Sequence, residues 1–171
     1  HQDVKPANNL IDASDPSSWR LVVMDFGVSS IGTPDGEGRV ADAELKGCTP
    51  TFCGPEHYSK FEHACKTGDK QQCTHSADVF CFVSTVLEMY SGSTDGKWRG
   101  GQPLRAVLQK TKDLSETGHF SRLPPGLLHV LQGAIVKGSE KTMREIVDSI
   151  LDLKLPGAPV KRPATTEGIN G

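Results

Sequence analysis

HQDVKPANNLID (residues 1–12) sets a His, an Asp two residues on, a Lys-Pro pair and an Asn ahead of the apolar pair Leu10-Ile11. Acid, cation and amide fall within six residues (Asp3 to Asn8), so the stretch asks for a chemistry that uses all three. The next ordered segment, RLVVMDFG (residues 20–27), is a short β-branched run that stops at a charged residue and a glycine. It reads as a buried strand ending in a turn.

Further along, residues 28–56 carry scattered Gly, Pro, Ser and Thr without periodicity and are expected to form a long loop, a length usually associated with function. Residues 57–75 are polar and read as a surface insertion. SADVFCFVSTVLEMYSG (residues 76–92) then places Val79, Phe82, Val83, Val86, Leu87 and Tyr90 at helical spacing, with Phe80, Cys81 and Met89 on the other side. A helix apolar nearly all round is a buried one, and Gly92 closes it. A short amphipathic helix is expected over 103–110 with Leu104, Val107 and Leu108 inward, and another over 125–136. A last helix begins at the capping-box pattern Thr142-x-x-Glu145, with Met143, Ile146, Val147, Ile150 and Leu151 on its core face. The Pro/Gly/Thr-rich residues 154–171 read as a disordered tail.

The 171 residues are long enough to bury a core, and 36% hydrophobic with 23% charged residues suits a soluble domain. A formal charge of −2 and 6% aromatics give no attraction to nucleic acid and no stacking platform. No apolar run approaches the ~18 residues of a membrane span, and no signal peptide is visible. Five cysteines, Cys48, Cys53, Cys65, Cys73 and Cys81, lack framework spacing and read as reduced thiols of an intracellular, cytoplasmic protein. His63-x-Cys65 and Cys73-x-His75 offer four ligands for tetrahedral zinc, although one-residue gaps are tighter than usual for such sites. An ordinary polar loop and a metal-binding module both stay open for that stretch.

Three short motifs recur in one order. His1-Gln2-Asp3-Val4-Lys5-Pro6-Ala7-Asn8 matches H-R-D-x-K-P-x-N except at Gln2. Asp25-Phe26-Gly27 follows the strand, and Thr49-Pro50-Thr51-Phe52-Cys53-Gly54-Pro55-Glu56 matches T-P-x-[YF]-x-[AG]-P-E. Singly, Asp3 or Asn8 suits a turn and Lys5 a solvated surface; jointly and in order they resemble the C-terminal lobe of eukaryotic protein kinases over roughly residues 1–153. Ser76-Ala77-Asp78-Val79-Phe80 resembles the start of that lobe's buried helix. The implied fold is the mainly α-helical C-lobe of the bilobal (α+β) kinase fold, with short strands around the catalytic loop. The implied activity is transfer of the γ-phosphate of Mg-ATP to Ser/Thr hydroxyls of a protein substrate. Small-molecule phosphotransferases lack the third motif. By resemblance Asp3 is the base, Lys5 neutralises the transferring phosphate, and Thr49 bridges Asp3 and Lys5. Asn8 and Asp25 hold the metal, and Leu10 lies under the adenine. Phe26 and His1 pack together, and Asp78 hydrogen-bonds the catalytic-loop backbone.

The departures also carry meaning. Gln2 replaces an Arg that clamps a phosphorylated loop in many kinases. Ser29, Ser30 and Thr33 are therefore expected to matter little as phosphosites, Arg39 and Lys46 being cations not fixed to the catalytic loop. Cys48 and Val83 stand where the family places Gly. Glu140 falls where an Arg would pair with Glu56, leaving Glu56 to Lys141 or to solvent. The chain opens without the Gly-rich loop and Lys of an N-lobe, so it reads as a fragment, inactive alone, whose partner is the N-lobe of the same chain. The alternative reading is a pseudokinase scaffold or protein-interaction module.

Overall fold

The computed structural model describes residues 1–15, 20–37, 39–92, 97–98, 102–110, 113–136 and 139–153. The tail expected over 154–171 lies outside them. The described residues are mainly helical with a few short strands. A 3₁₀ turn (Pro6–Asn8) leads into β1 (Asn9–Asp12), which pairs antiparallel with β2 (Arg20–Val23). β3 (Ala43–Glu44) comes next, then α1 (Pro55–Thr67), β4 (Gln72–Cys73) and α2 (His75–Ser91). β5 (Lys97–Trp98) and β6 (Gln102–Pro103) precede α3 (Leu104–Lys110), α4 (Pro125–Ile135) and α5 (Met143–Asp152). β3 pairs with β4, and β5 with β6, both antiparallel.

The core forms where α2, α3, α4 and α5 meet. Val83 and Leu87 of α2, Leu104 of α3, Leu131 of α4 and Ile146 of α5 are all fully buried, and Leu114 joins them from a 3₁₀ turn. Each such side chain contributes roughly 1.5–3 kcal/mol of transfer free energy. A second, smaller cluster of Ala43, Leu45, Cys73 and Ala77 seats β3 and the loop after it against the start of α2.

α2 buries most of its circumference, with His75, Ser76, Asp78 and Phe82 half-buried, and Met89 and Tyr90 emerge at its end. Gly92 ends it in the left-handed region (φ 72°), its N–H donating to the Glu88 carbonyl; only glycine adopts that φ without a Cβ clash. The α5 capping box is present, Thr142 Oγ1 accepting from the Glu145 N–H and Glu145 Oε2 from the Thr142 N–H.

Four expectations are corrected. Residues 55–67 are a helix, not an unstructured insertion: α1 starts at Pro55, is closed by Gly68 (φ 77°) and buries little besides His57, so no apolar stripe announced it. β2 is exposed along its whole length, because within the described residues its apolar run has only β1 beside it. Val147 lies on the exposed face of α5. Cys48 and Cys53 are joined in a disulfide, while Cys65, Cys73 and Cys81 are free thiols. The Thr49 carbonyl accepts from the N–H groups of Phe52 and Cys53, and that tight turn brings the two cysteine Cα atoms to 6.3 Å, within bridging range.

Leu87→Ala is expected to cost about 2–5 kcal/mol, because a fully buried Leu leaves a cavity. Val147→Ala should stay within about 0.5 kcal/mol. Urea denaturation of the two variants checks both.

Candidate functional site

The site is built from the first turn of α2. Asp78 directs its carboxylate at the chain's opening residues: Oδ2 accepts from the His1 amino nitrogen at 2.7 Å and Oδ1 from the Gln2 N–H at 2.6 Å. Two turns on, Thr85 Oγ1 reaches the Val4 carbonyl at 3.3 Å. Residues 1–4 are thereby laid along the buried helix. Gln2 (φ 71°) and Asp25 (φ 59°) are the two non-glycine residues with positive φ among the described residues. Strain of this kind, roughly 1–3 kcal/mol each, persists where surrounding contacts over-determine it.

Asp3 follows. Its Oδ2 accepts from Lys5 Nζ at 2.7 Å and from Asn8 Nδ2 at 3.2 Å, and its carbonyl accepts from the same Asn8 amide at 3.0 Å. Lys5 Nζ also donates to Thr49 Oγ1 at 2.8 Å. The bridging group is thus Lys5, between Asp3 and Thr49, rather than Thr49 itself. Asp3 Oδ1 is buried and has no hydrogen-bond partner among the described residues. Asn8 spends its Nδ2 hydrogens on Asp3, which leaves its Oδ1 as a neutral oxygen donor.

The hairpin brings up the rest. Its register, Asn9 opposite Val23, continues in a 2.8 Å bond from the Met24 N–H to the Asn8 carbonyl, so Asp25 stands one residue beyond Asn8's partner. The His1 ring donates from Nε2 to the Met24 carbonyl at 2.8 Å and packs against Phe26 with ring centroids 4.8 Å apart. Leu10 and Phe26 are 52% and 63% exposed; the cross-strand pairs Leu10–Val22 and Ile11–Leu21 lie on opposite faces of the hairpin, and both leave apolar surface uncovered. Asp3, Lys5, Asn8 and Thr49 are joined in one hydrogen-bonded set; Asp25 adjoins it through the hairpin, and Leu10 projects from β1 beside it.

Sequence reasoning missed what Gln2 does. Its side chain is buried and holds the loop directly: Nε2 donates to Ser30 Oγ (2.5 Å) and the Glu44 carbonyl (2.8 Å), and Oε1 accepts from the Lys46 N–H (2.9 Å). Lys46 is therefore fixed to the opening segment after all, through its backbone. Arg39 pairs with Glu37 and donates from Nε to the Glu140 carbonyl at 3.2 Å. Asn9, also missed, donates to the Lys5 carbonyl at 2.6 Å and closes the 3₁₀ turn. An amide's partners depend on tertiary placement, so neither role had a local signal.

Glu56 is exposed and pairs with Lys60 at 2.8 Å, not with Lys141. The place near Glu140 is a cavity of about 880 Å³, lined among others by Glu56, Lys60, Phe80, Arg105 and Glu140, and apart from Asp3, Lys5, Asn8 and Asp25. His63, Cys65, Cys73 and His75 do not assemble a metal centre: among the described residues no three His, Cys, Asp or Glu side chains converge as ligands. Cys73 is buried in β4 while Cys65 is exposed on α1. Among the described residues no helix is long and apolar enough to cross a membrane. Comparison of the chain with family models and with curated protein sequences returns no match.

Two outcomes follow from these contacts. Gln2→Ala should cost about 1–3 kcal/mol and abolish the protection of the Lys46 amide, as urea denaturation and amide exchange would show. Burial holds the His57 imidazole below its ordinary value of 6.5, with Asp78 opposing. The unfolded chain then takes up a proton that folded His57 resists, so stability is full above 6.5 and falls as pH drops below it. Urea midpoints measured across that value should show the fall, and His57→Gln should flatten it.

Proposed function

We propose that this chain is the C-terminal lobe of a Ser/Thr protein kinase, passing the γ-phosphate of Mg-ATP to Ser or Thr hydroxyls of a protein substrate. The observation that carries the reading is the Asp3 carboxylate. One oxygen is immobilised by Lys5 and Asn8, and the other is buried without a donor. A buried charged oxygen left unpaired is costly, and a substrate hydroxyl is the donor it lacks. In this reading Asp3 orients the acceptor hydroxyl and takes its proton. Lys5 has three N–H donors; two are spent on Asp3 and Thr49, and the third serves a phosphoryl oxygen.

Asn8 Oδ1 and the Asp25 carboxylate are hard oxygen donors on the two segments that flank the β1–β2 pairing, a donor chemistry that suits Mg²⁺. Bound there, the cation would neutralise phosphate charge. The two exposed faces of the hairpin, Leu10 with Val22 on one and Ile11 with Leu21 on the other, supply apolar surface for adenine and for an N-terminal lobe. A two-stranded ribbon is marginal without such cover.

With that lobe present, Asp3→Ala is expected to lower turnover by about 10²–10⁴-fold while Mg-ATP affinity holds. Asp25→Ala should weaken Mg-ATP binding instead. Radiolabelled phosphate transfer and calorimetry separate the two effects. Wild-type turnover by Asp3→Ala would overturn the assignment, and ATP binding without turnover in the wild type would make the protein a scaffold.

A further inference from the structure

The Cys48–Cys53 disulfide closes a ring that contains Thr49, and the Thr49 hydroxyl is the one that seats Lys5. The segment is fixed at both ends. Upstream, the Lys46 N–H is held by Gln2 Oε1. Downstream, Gly54 lies so close to Phe80 that a Cβ there would come within 3.0 Å of the ring. Between these points the turn has two backbone hydrogen bonds, both to the single carbonyl of Thr49. The disulfide is the covalent tie across it. The two residues differ in exposure: Cys53 is 1% exposed, whereas Cys48 is half-buried. Cys53 Sγ also lies 3.1 Å from the Thr49 carbonyl oxygen. A disulfide sulfur has no proton to give, but a Cys53 thiol would find an acceptor already in place, so the fold accommodates both states.

We propose that Cys48–Cys53 is a thiol–disulfide exchange site through which a dithiol sets how firmly Thr49 is held against Lys5. A thiolate of the dithiol attacks Cys48 Sγ, on the more exposed residue. The Cys48–Cys53 bond breaks, and Cys53 leaves with the electron pair and takes a proton from water. The dithiol's second sulfur, deprotonated, then attacks its own sulfur in the mixed disulfide and releases Cys48, which is protonated in turn. Two electrons reach the cysteine pair, and the dithiol ends as a disulfide. The oxidised form pins Thr49 where Lys5 meets it; the reduced form leaves the turn to its two hydrogen bonds. Any consequence for acceptor phosphorylation rests on the kinase reading, but the exchange itself does not.

Differential alkylation and amide exchange on the 171-residue chain, with dithiothreitol as the dithiol, test this without measuring activity. Cys65, exposed and free, and Cys81, buried and free, are internal references. In the unreduced chain iodoacetamide should label Cys65 and spare Cys48 and Cys53. After dithiothreitol Cys48 and then Cys53 should be labelled, and the amides of Phe52 and Cys53 should exchange about tenfold faster. Cys48→Ser should exchange at the faster rate with or without dithiothreitol. Labelling of Cys48 and Cys53 at the Cys65 rate before reduction, protection that persists in dithiothreitol, or amide exchange unmoved by it would each overturn the proposal. A protein without kinase activity could still give the expected result, so the two readings fail separately.

Discussion

The carboxylate of Asp78 carries two jobs that other residues depend on. Its two oxygens accept from consecutive backbone nitrogens, those of His1 and Gln2, and charge-assisted bonds of this kind are roughly twice as strong as neutral ones. They hold Gln2 at a φ of 71°, a conformation a free chain would leave. Asp78 can impose this because α2 is itself immobile: Val79, Phe80, Val83 and Leu87 are packed into the core around it. The rigidity of an apolar helix is thereby passed to a polar loop.

From that anchor the polar contacts run outward in a definite order. Once Gln2 is fixed, its amide fastens Ser30, Glu44 and Lys46, and the segment carrying Thr49 follows Lys46. Asp3 is presented to Lys5 and Asn8 from the same backbone, and Lys5 closes the circuit at Thr49. Buried polar groups are overwhelmingly paired in native proteins. Against that background Asp3 Oδ1 is one of several buried side-chain atoms without a hydrogen-bond partner among the described residues, with Asn9 Oδ1, Ser84 Oγ and both His57 ring nitrogens.

Much of this was legible before the structure, and the reasons are specific. α2 to α5 followed from a 3.6-residue apolar period, from Gly92 and from the Thr142–Glu145 capping pattern, all local signals. The grouping of Asp3, Lys5, Asn8 and Thr49, and the reach of Asp78 to the opening residues, followed from motif order. The failures share a cause as well. α1 buries little besides His57, so no periodicity marked it. β2 is apolar yet exposed, because composition reports what a strand could pack against, not what is beside it. Val147 has the spacing of a core residue but is 42% exposed on α5. The pairing of Cys48 with Cys53 depends on a turn folding back on one carbonyl, and a spacing of five residues does not announce that.

The segment between Asp25 and α1 is long, and ordering it has a cost. A loop of this length must offset the entropy of fixing many backbones, roughly 1–2 kcal/mol per residue. The chain offsets that cost with groups it already has. Gln2 spends its amide on Ser30 and two backbone groups, Arg39 ties the distal turn to the Glu140 carbonyl, and β3 pairs with β4. The Ser30 hydroxyl is occupied in both senses, accepting from Gln2 and donating to the Glu44 carbonyl at 2.6 Å. A phosphate on Ser30 would remove that donor and set about −1.5 to −2 charges beside the Glu44 carbonyl and the Gln2 amide, with the Lys46 ammonium, bonded to the Ser29 carbonyl at 3.0 Å, as the nearby cation. The two bonds of the free hydroxyl, not an added charge, thus order this part of the loop.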